Sequence, residues 1–211
     1  MPRNRKYASA AEKQRAYNQR KRNKEYRAGL EDVTIHVPTR PMRQKQPRDG
    51  RAGDERYTPR VWVDRARTVM GGIDLDVASC DYAQQTVQAA RYYTQEDDAL
   101  TLPWAGRVWM NPPYSDPFPW VERLISFYQA GAIAAAITLL NMAGTPAWAR
   151  LLWHGGYTCC ILDERIQFEL GPWATADDRK RNSNDRDQFV WYLGGNPRRF
   201  AGVFAPYGSI R

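Results

Sequence analysis

Histidine, cysteine and long apolar runs are all scarce in this chain of 211 residues. The two histidines are His36, in a basic segment, and His154, at an expected helix end where a basic side chain suits a cap-type role. Neither points to imidazole-based catalysis. Cys80, Cys159 and Cys160 are an odd number with two adjacent. They match neither a disulfide framework nor a paired-knuckle zinc site, so a reducing cytoplasm and no metal are expected. The longest uncharged stretch opens at Leu124 and is closed by Arg150, but Ser126, Gln129, Asn141 and Thr145 interrupt it. It lacks the block of about 20 apolar residues that a membrane-spanning helix needs. Met1-Pro2-Arg3-Asn4-Arg5-Lys6 has no apolar segment behind its charges, unlike a secretory signal.

What is present is positive charge, unevenly placed. The net charge is +8, yet residues 1–50 carry 14 Lys and Arg against 5 Asp and Glu, a net +9, and the rest is close to neutral. Five of the six lysines and none of the eight tryptophans lie in that first part. The composition therefore divides the chain into a basic arm, 1–50, and a globular domain, 51–211. Within the arm, Ser9-Ala10-Ala11-Glu12 has capping-box spacing and Ala28-Gly29 supplies a stop, which predicts a helix over 10–28. The alternation in 33–37 predicts a short strand ended by Pro38. The helix has no continuous apolar stripe, so it is expected to lie exposed or against a charged partner. Arg15, Arg20, Lys21, Arg22 and Lys24 are candidates for contact with nucleic-acid phosphates, the alternative being a solvated tail.

From Arg56 onward, helical and strand-like runs alternate. Helices are expected over 59–69, opened by Thr58 with Pro59 in the first turn, and over 81–90, 119–129 and 145–153, the last capped by Thr145. Strands are expected over 72–76, 91–94, 107–110, 132–140, 157–162, 188–193 and 199–204. Such alternation implies an α/β fold with a largely parallel sheet and an antiparallel finish. Ligands of such sheets bind beyond the carboxyl ends of the strands, where strand order reverses.

Asn111-Pro112-Pro113-Tyr114 follows directly on one expected strand. Two prolines after a strand make a rigid turn in any case, but this turn stands at the edge where chemistry is expected. The arrangement suits methylation of an exocyclic amino group, whose lone pair is delocalised into its ring and is a poor nucleophile. Acceptors from the Asn111 side chain and the Pro112 carbonyl can take the two N–H groups and free that lone pair. Tyr114 can stack on a base taken out of its helix. No general base is required, because the methylated nitrogen is acidic enough to lose its proton to water.

Tyr57-Thr58-Pro59, then Gly72-Ile73-Asp74-Leu75-Asp76-Val77-Ala78-Ser79, then Tyr93-Thr94 with Asp98-Ala99-Leu100 and Trp104, then the run from Gly106 through Ser115, resemble the phage-type DNA N6-adenine methyltransferase (Dam) family over about residues 54–205. The resemblance implies a Rossmann-like class I methyltransferase sheet, S-adenosylmethionine as donor and adenine in DNA as acceptor, with double-stranded DNA as partner. It implies protection of phage or prophage DNA from restriction as the biological setting. Asn111, Pro112, Pro113 and Tyr114 match the catalytic motif. Tyr57, Thr58 and Pro59 match the segment that holds the methionine end of the donor. Asp74 and Asp76 match the acidic strand end that pairs with its ammonium group, followed by the small residues Ala78 and Ser79. Asp98 matches the acid nearest the adenosine.

Two departures stand out. Val77-Ala78-Ser79 replaces the usual glycine-rich turn. Only 34 residues lie between Asp76 and Asn111, so two intervening βα units hardly fit and a trimmed sheet is expected. Phosphate contacts are expected from the arm or from the loop 177–186, with Arg179, Lys180 and Arg181, though its mixed charge equally suits a solvated loop. The segment 165–168 is expected, on the resemblance alone, to line the DNA side. Trp104 and Trp109 are expected in the core. RNA or a protein amide as acceptor, and a non-catalytic DNA-binding protein on the same sheet, remain alternatives. Neither recognition sequence nor oligomeric state is legible.

Overall fold

A computed structural model describes residues 56–142, 146–171 and 186–211, together with Gln14 and Tyr17. Its strands are β1 (Leu75–Asp76), β2 (Arg91–Tyr92), β3 (Gly106–Met110), β4 (Ile133–Met142), β5 (Thr158–Leu162), β6 (Asp187–Gly194) and β7 (Gly208–Ile210). Its helices are α1 (Arg60–Met70), α2 (Gln84–Val87), α3 (Phe118–Gln129), α4 (Ala147–His154) and α5 (Pro197–Phe204). The strands form one sheet in the order β2-β1-β3-β4-β6-β5-β7. β2, β1, β3 and β4 run parallel, whereas β6 is antiparallel to both β4 and β5, and β7 is antiparallel to β5. Only β2 intervenes in sequence between β1 and β3, so the sheet is trimmed as the short spacing predicts. Strand order reverses at β1, with β2 on one side and β3 on the other.

The pleat distributes the core over two layers. Val108, Met110, Leu140, Cys159 and Trp191 join Leu124, Phe127 and Leu152 of α3 and α4 on one face. Trp109, Ile137, Cys160, Val190 and Tyr192 join Val63, Ala66, Phe200 and Phe204 of α1 and α5 on the other. Helices on both faces of a mixed sheet, parallel from β2 to β4 and antiparallel beyond, make a Rossmann-like α/β architecture. Trp104 and Trp109 are buried as expected, and the Trp104 Nε1–H donates to the Ala99 carbonyl at 2.9 Å. Cys159 and Cys160 are free thiols that point into opposite layers. Burial pushes their pKa values up to about 12 and about 11, which keeps them protonated.

Several expectations are corrected. Residues 199–204 form not a strand but α5: the Asn196 side chain accepts from the Arg199 N–H at 3.0 Å, and Pro197 opens the first turn. Phe200 and Phe204, four apart, then share the buried face. Thr58 does not cap α1. Pro59 holds the cap position with no side-chain cap bond, and the Thr58 hydroxyl is used elsewhere. The strand expected over 72–76 shrinks to two residues because Gly71 and Gly72 have φ of +80° and +147°. In the arm, Gln14 and Tyr17 are helical and exposed. The remainder of the helix 10–28, the strand 33–37, Thr145, Arg15, Arg20, Lys21, Arg22, Lys24, Arg179, Lys180 and Arg181 lie outside the described residues.

Candidate active site

The reversal point between β1 and β3 sets their carboxyl ends side by side, Asp76 opposite Trp109 in the register. Asp76 is 2% exposed. Its carboxyl accepts from Gln84 Nε2 at 2.8 Å and from the Ala78 N–H at 3.4 Å. Burial is the largest influence on it and, against the hydrogen bonds it accepts, pushes its pKa up to about 7. Gln84 Nε2 also donates to Ser79 Oγ at 2.8 Å, and its Oε1 accepts from the Ala89 N–H at 2.9 Å. One glutamine thus ties the Ala78–Ser79 turn to both the strand end and α2.

Asn111 leaves β3 beside this turn. Its Nδ2 donates to Thr58 Oγ1 at 3.2 Å and to the Arg56 carbonyl at 3.4 Å, while its Oδ1 accepts from the Tyr114 hydroxyl at 2.6 Å. Burial holds the Tyr114 phenol well above its ordinary pKa, so it stays a donor. The Tyr114 ring packs 6.0 Å from Phe168, centroid to centroid. Pro112 is buried and Pro113 exposed. Tyr57 is joined to this group from the other side. Its backbone pairs with Glu169 at 2.9 Å in both directions, its hydroxyl accepts from Cys80 Sγ at 3.6 Å, and its ring meets Tyr82 edge-on at 4.8 Å. Tyr57, Thr58, Pro59, the turn holding Ala78 and Ser79, Asp76, Asn111 and Tyr114 therefore share one edge of the sheet.

Two expected donor-site residues do not join them. Asp74 faces the start of β3, where Arg107 binds it through Nε–H to Oδ2 at 2.8 Å, Nη2–H to Oδ1 at 2.6 Å and the backbone N–H to Oδ2 at 2.8 Å. Those bonds hold its pKa below the usual carboxylate range. The pairing also explains the glycines before β1. A Cβ on Gly72 would lie 2.7 Å from the Arg107 guanidinium, and one on Gly106 2.7 Å from Asp74 Oδ2. Asp74 thus has its charge matched by Arg107 at the start of β3. Asp98 is exposed, with φ +49°, and its carbonyl accepts from the Thr101 N–H and hydroxyl at 2.9 Å. Among the described residues no hydrogen bond links its carboxylate to the group around Asn111.

Sequence reasoning missed Gln84, Gln188 and Arg107. Gln188 is fully buried. Its Oε1 accepts from the Ile166 N–H at 2.9 Å, and its Nε2 donates to Asn141 Oδ1 at 3.0 Å and to the Arg186 carbonyl. It fixes the segment that carries Phe168 against Tyr114. A glutamine in a helix or strand carries no periodic signal of such work. The segment 165–168 does reach the site, through Phe168, while Arg165 is exposed and pairs with Asp187 at 3.3 Å. Asp187 lies opposite Met142 at the carboxyl end of β4.

The DNA N-6-adenine-methyltransferase (Dam) family model matches residues 47–195. A DNA N-6-adenine-methyltransferase of Haemophilus phage HP1 is 35% identical over 152 residues, covering 71% of this chain and 80% of that protein. A crystal structure described as an RNA methyltransferase from Pyrococcus horikoshii overlaps 82% of this chain and 96% of its own, with 11% identity and a TM-score of 0.39. That likeness is too loose to carry weight. Among the described residues no helix is long and apolar enough to cross a membrane, and no cluster of metal-ligating side chains occurs. With the family match covering most of the chain and a phage relative agreeing across it, this chain belongs to the DNA N-6-adenine-methyltransferase (Dam) family.

Proposed function

We infer that this chain transfers a methyl group from S-adenosylmethionine to N6 of an adenine flipped out of double-stranded DNA. The observation that carries this reading is the position of Asn111-Pro112 at the carboxyl end of β3, beside the end of β1 where strand order reverses, in a chain of the Dam family. Asn111 Oδ1 and the Pro112 carbonyl accept the two N6–H groups, which draws the nitrogen lone pair out of conjugation. Phe168 and Tyr114 form an aromatic wall for the base, and Pro113 is its exposed neighbour.

The donor fits what the β1 end offers. Asp76 is a buried carboxyl with, among the described residues, neutral hydrogen-bond donors around it, and a ligand ammonium would supply a matching charge. Gln84 rearranges to admit it, and the small residues Ala78 and Ser79 let a ligand approach the backbone. Tyr57, Thr58 and Pro59 border that space at the start of α1. When bound, the donor supplies an electrophilic methyl; the N6 lone pair forms the new N–C bond, the S–C bond pair remains on sulfur, and an N6 proton passes to water.

Phosphate contacts come from Arg15, Arg20, Lys21, Arg22 and Lys24 of the arm and from Arg179, Lys180 and Arg181 of the segment 177–186. The reaction belongs in the cytoplasm of a bacterial host. The test is incubation with duplex DNA, RNA and protein in parallel using labelled S-adenosylmethionine, followed by chromatography of the nucleosides. Label in N6-methyladenine from DNA, absent with Asn111→Ala, supports the reading. Label in RNA or protein alone overturns it, and digestion with methylation-sensitive endonucleases then reports the target sequence.

A further inference from the structure

We propose that Thr58 is a positioning residue for the transfer: with the Arg56 carbonyl, it fixes the Asn111 carboxamide so that Nδ2 turns away from the substrate and Oδ1 turns toward it. The proposal rests on the reading of Asn111 as the acceptor for the N6 amine.

An asparagine side chain has two orientations that differ by exchanging oxygen and nitrogen, and its last torsion hardly distinguishes them. Only one is useful here. If Nδ2 faced the substrate, two donors would meet and the N6 lone pair would stay delocalised. Both ends of the Asn111 amide are determined. At one end stand Thr58 Oγ1 at 3.2 Å and the Arg56 carbonyl at 3.4 Å. A carbonyl only accepts, so it selects Nδ2. At the other end the Tyr114 hydroxyl donates to Oδ1 at 2.6 Å; a hydroxyl can donate or accept, so it follows the choice that the Arg56 carbonyl makes. An amide oxygen has two lone pairs, so Oδ1 retains one for a substrate N–H.

Thr58 is free for this work because it caps nothing, the cap position of α1 belonging to Pro59. It is 6% exposed, so water does not compete for its hydroxyl. The Arg56 carbonyl chooses the orientation, and the shorter Thr58 contact anchors the amide in it. Residues 53 positions apart in sequence are thereby coupled, and an element matched to the donor acts on the acceptor side.

The experiment compares Thr58→Val, which keeps the shape and removes the hydroxyl, with Thr58→Ser, which keeps the hydroxyl. Three quantities are read: S-adenosylmethionine affinity by calorimetry, the single-turnover rate and KM on duplex DNA, and the side-chain NH₂ resonances of Asn111 in a ¹⁵N spectrum, assigned by their loss in Asn111→Ala. Thr58→Val should lower the single-turnover rate about tenfold, the size of one neutral hydrogen bond. Donor affinity and KM should stay within about twofold, and the Asn111 resonances should move toward those of an unrestrained amide. Thr58→Ser should recover the rate and the resonances. A donor affinity that falls as far as the rate would make Thr58 a donor contact and overturn the proposal, as would unmoved Asn111 resonances. Should wild type methylate no DNA adenine, the functional reading fails while the spectrum still decides whether Thr58 holds the amide.

Discussion

Asp74 and Asp76 stand two residues apart and meet opposite environments. At the amino end of β3, Asp74 is locked by three bonds from Arg107, in a setting about one third exposed. At the carboxyl end, Asp76 is buried and accepts from the neutral donors of Gln84 and Ala78. The first has its charge matched within the fold. The second, among the described residues, is hydrogen-bonded by neutral groups, which makes it the candidate for a ligand's positive charge. The signs of their pH dependence are opposite. The pKa of Asp74 lies below the ordinary 3.8, so its contribution to stability is present above that value and disappears as the pH falls through the lowered one. Ionising Asp76 is unfavourable in the fold, so its effect on stability worsens as pH rises from 3.8 to about 7.

The contrast between the two edges can be broken most severely at Asn111. Asn111→Ala should lower methyl transfer about a thousandfold, as loss of a preorganised polar group at the reacting centre does. Circular dichroism should show an intact fold, and a loss under tenfold would mean that the carboxyl edge is not where the chemistry occurs. Next in size is removal of residues 1–50. DNA affinity at low salt should fall about tenfold to a hundredfold and its salt dependence should flatten, with donor affinity unchanged. Equal loss of both, read by anisotropy and calorimetry, would make the arm part of the domain.

The pH dependence of donor binding sharpens the contrast further. If an ammonium pairs with ionised Asp76, affinity should rise up to about tenfold per pH unit below 7 and level off above it. A flat profile between pH 6 and 8 would separate Asp76 from the donor. Smallest is Asp74→Asn, which should cost about 1 kcal/mol in urea denaturation, a partly exposed ion pair being partly screened, and leave donor binding unchanged. Weakened donor binding at unchanged stability would return Asp74 to the site.

The sequence by itself determined what is local. Apolar periodicity was enough to locate β3, β4 and α3, because the pleat and the helical turn repeat over a few residues. Asn111-Pro112-Pro113-Tyr114 was legible because its position, directly after a strand, is also local. The short distance from Asp76 to Asn111 foretold the trimmed sheet, since chain length limits how many elements fit. In 199–204 the apolar residues Phe200, Ala201, Val203 and Phe204 suit a strand as readily as a helix over so short a run, and Asn196-Pro197 suits a turn as well as a helix start.

Tertiary structure alone decided the placement of β6 between β4 and β5 and the separate uses of Asp74 and Asp76. It alone brought Thr58 to Asn111 and Gln188 to Ile166. Each of these depends on partners tens of residues away, supplied when the sheet closes. Nothing in the local pattern marks a glutamine or threonine that will meet one. A carboxylate likewise reads the same in sequence whether an arginine or neutral donors await it, and that difference sets the direction in which its pKa moves.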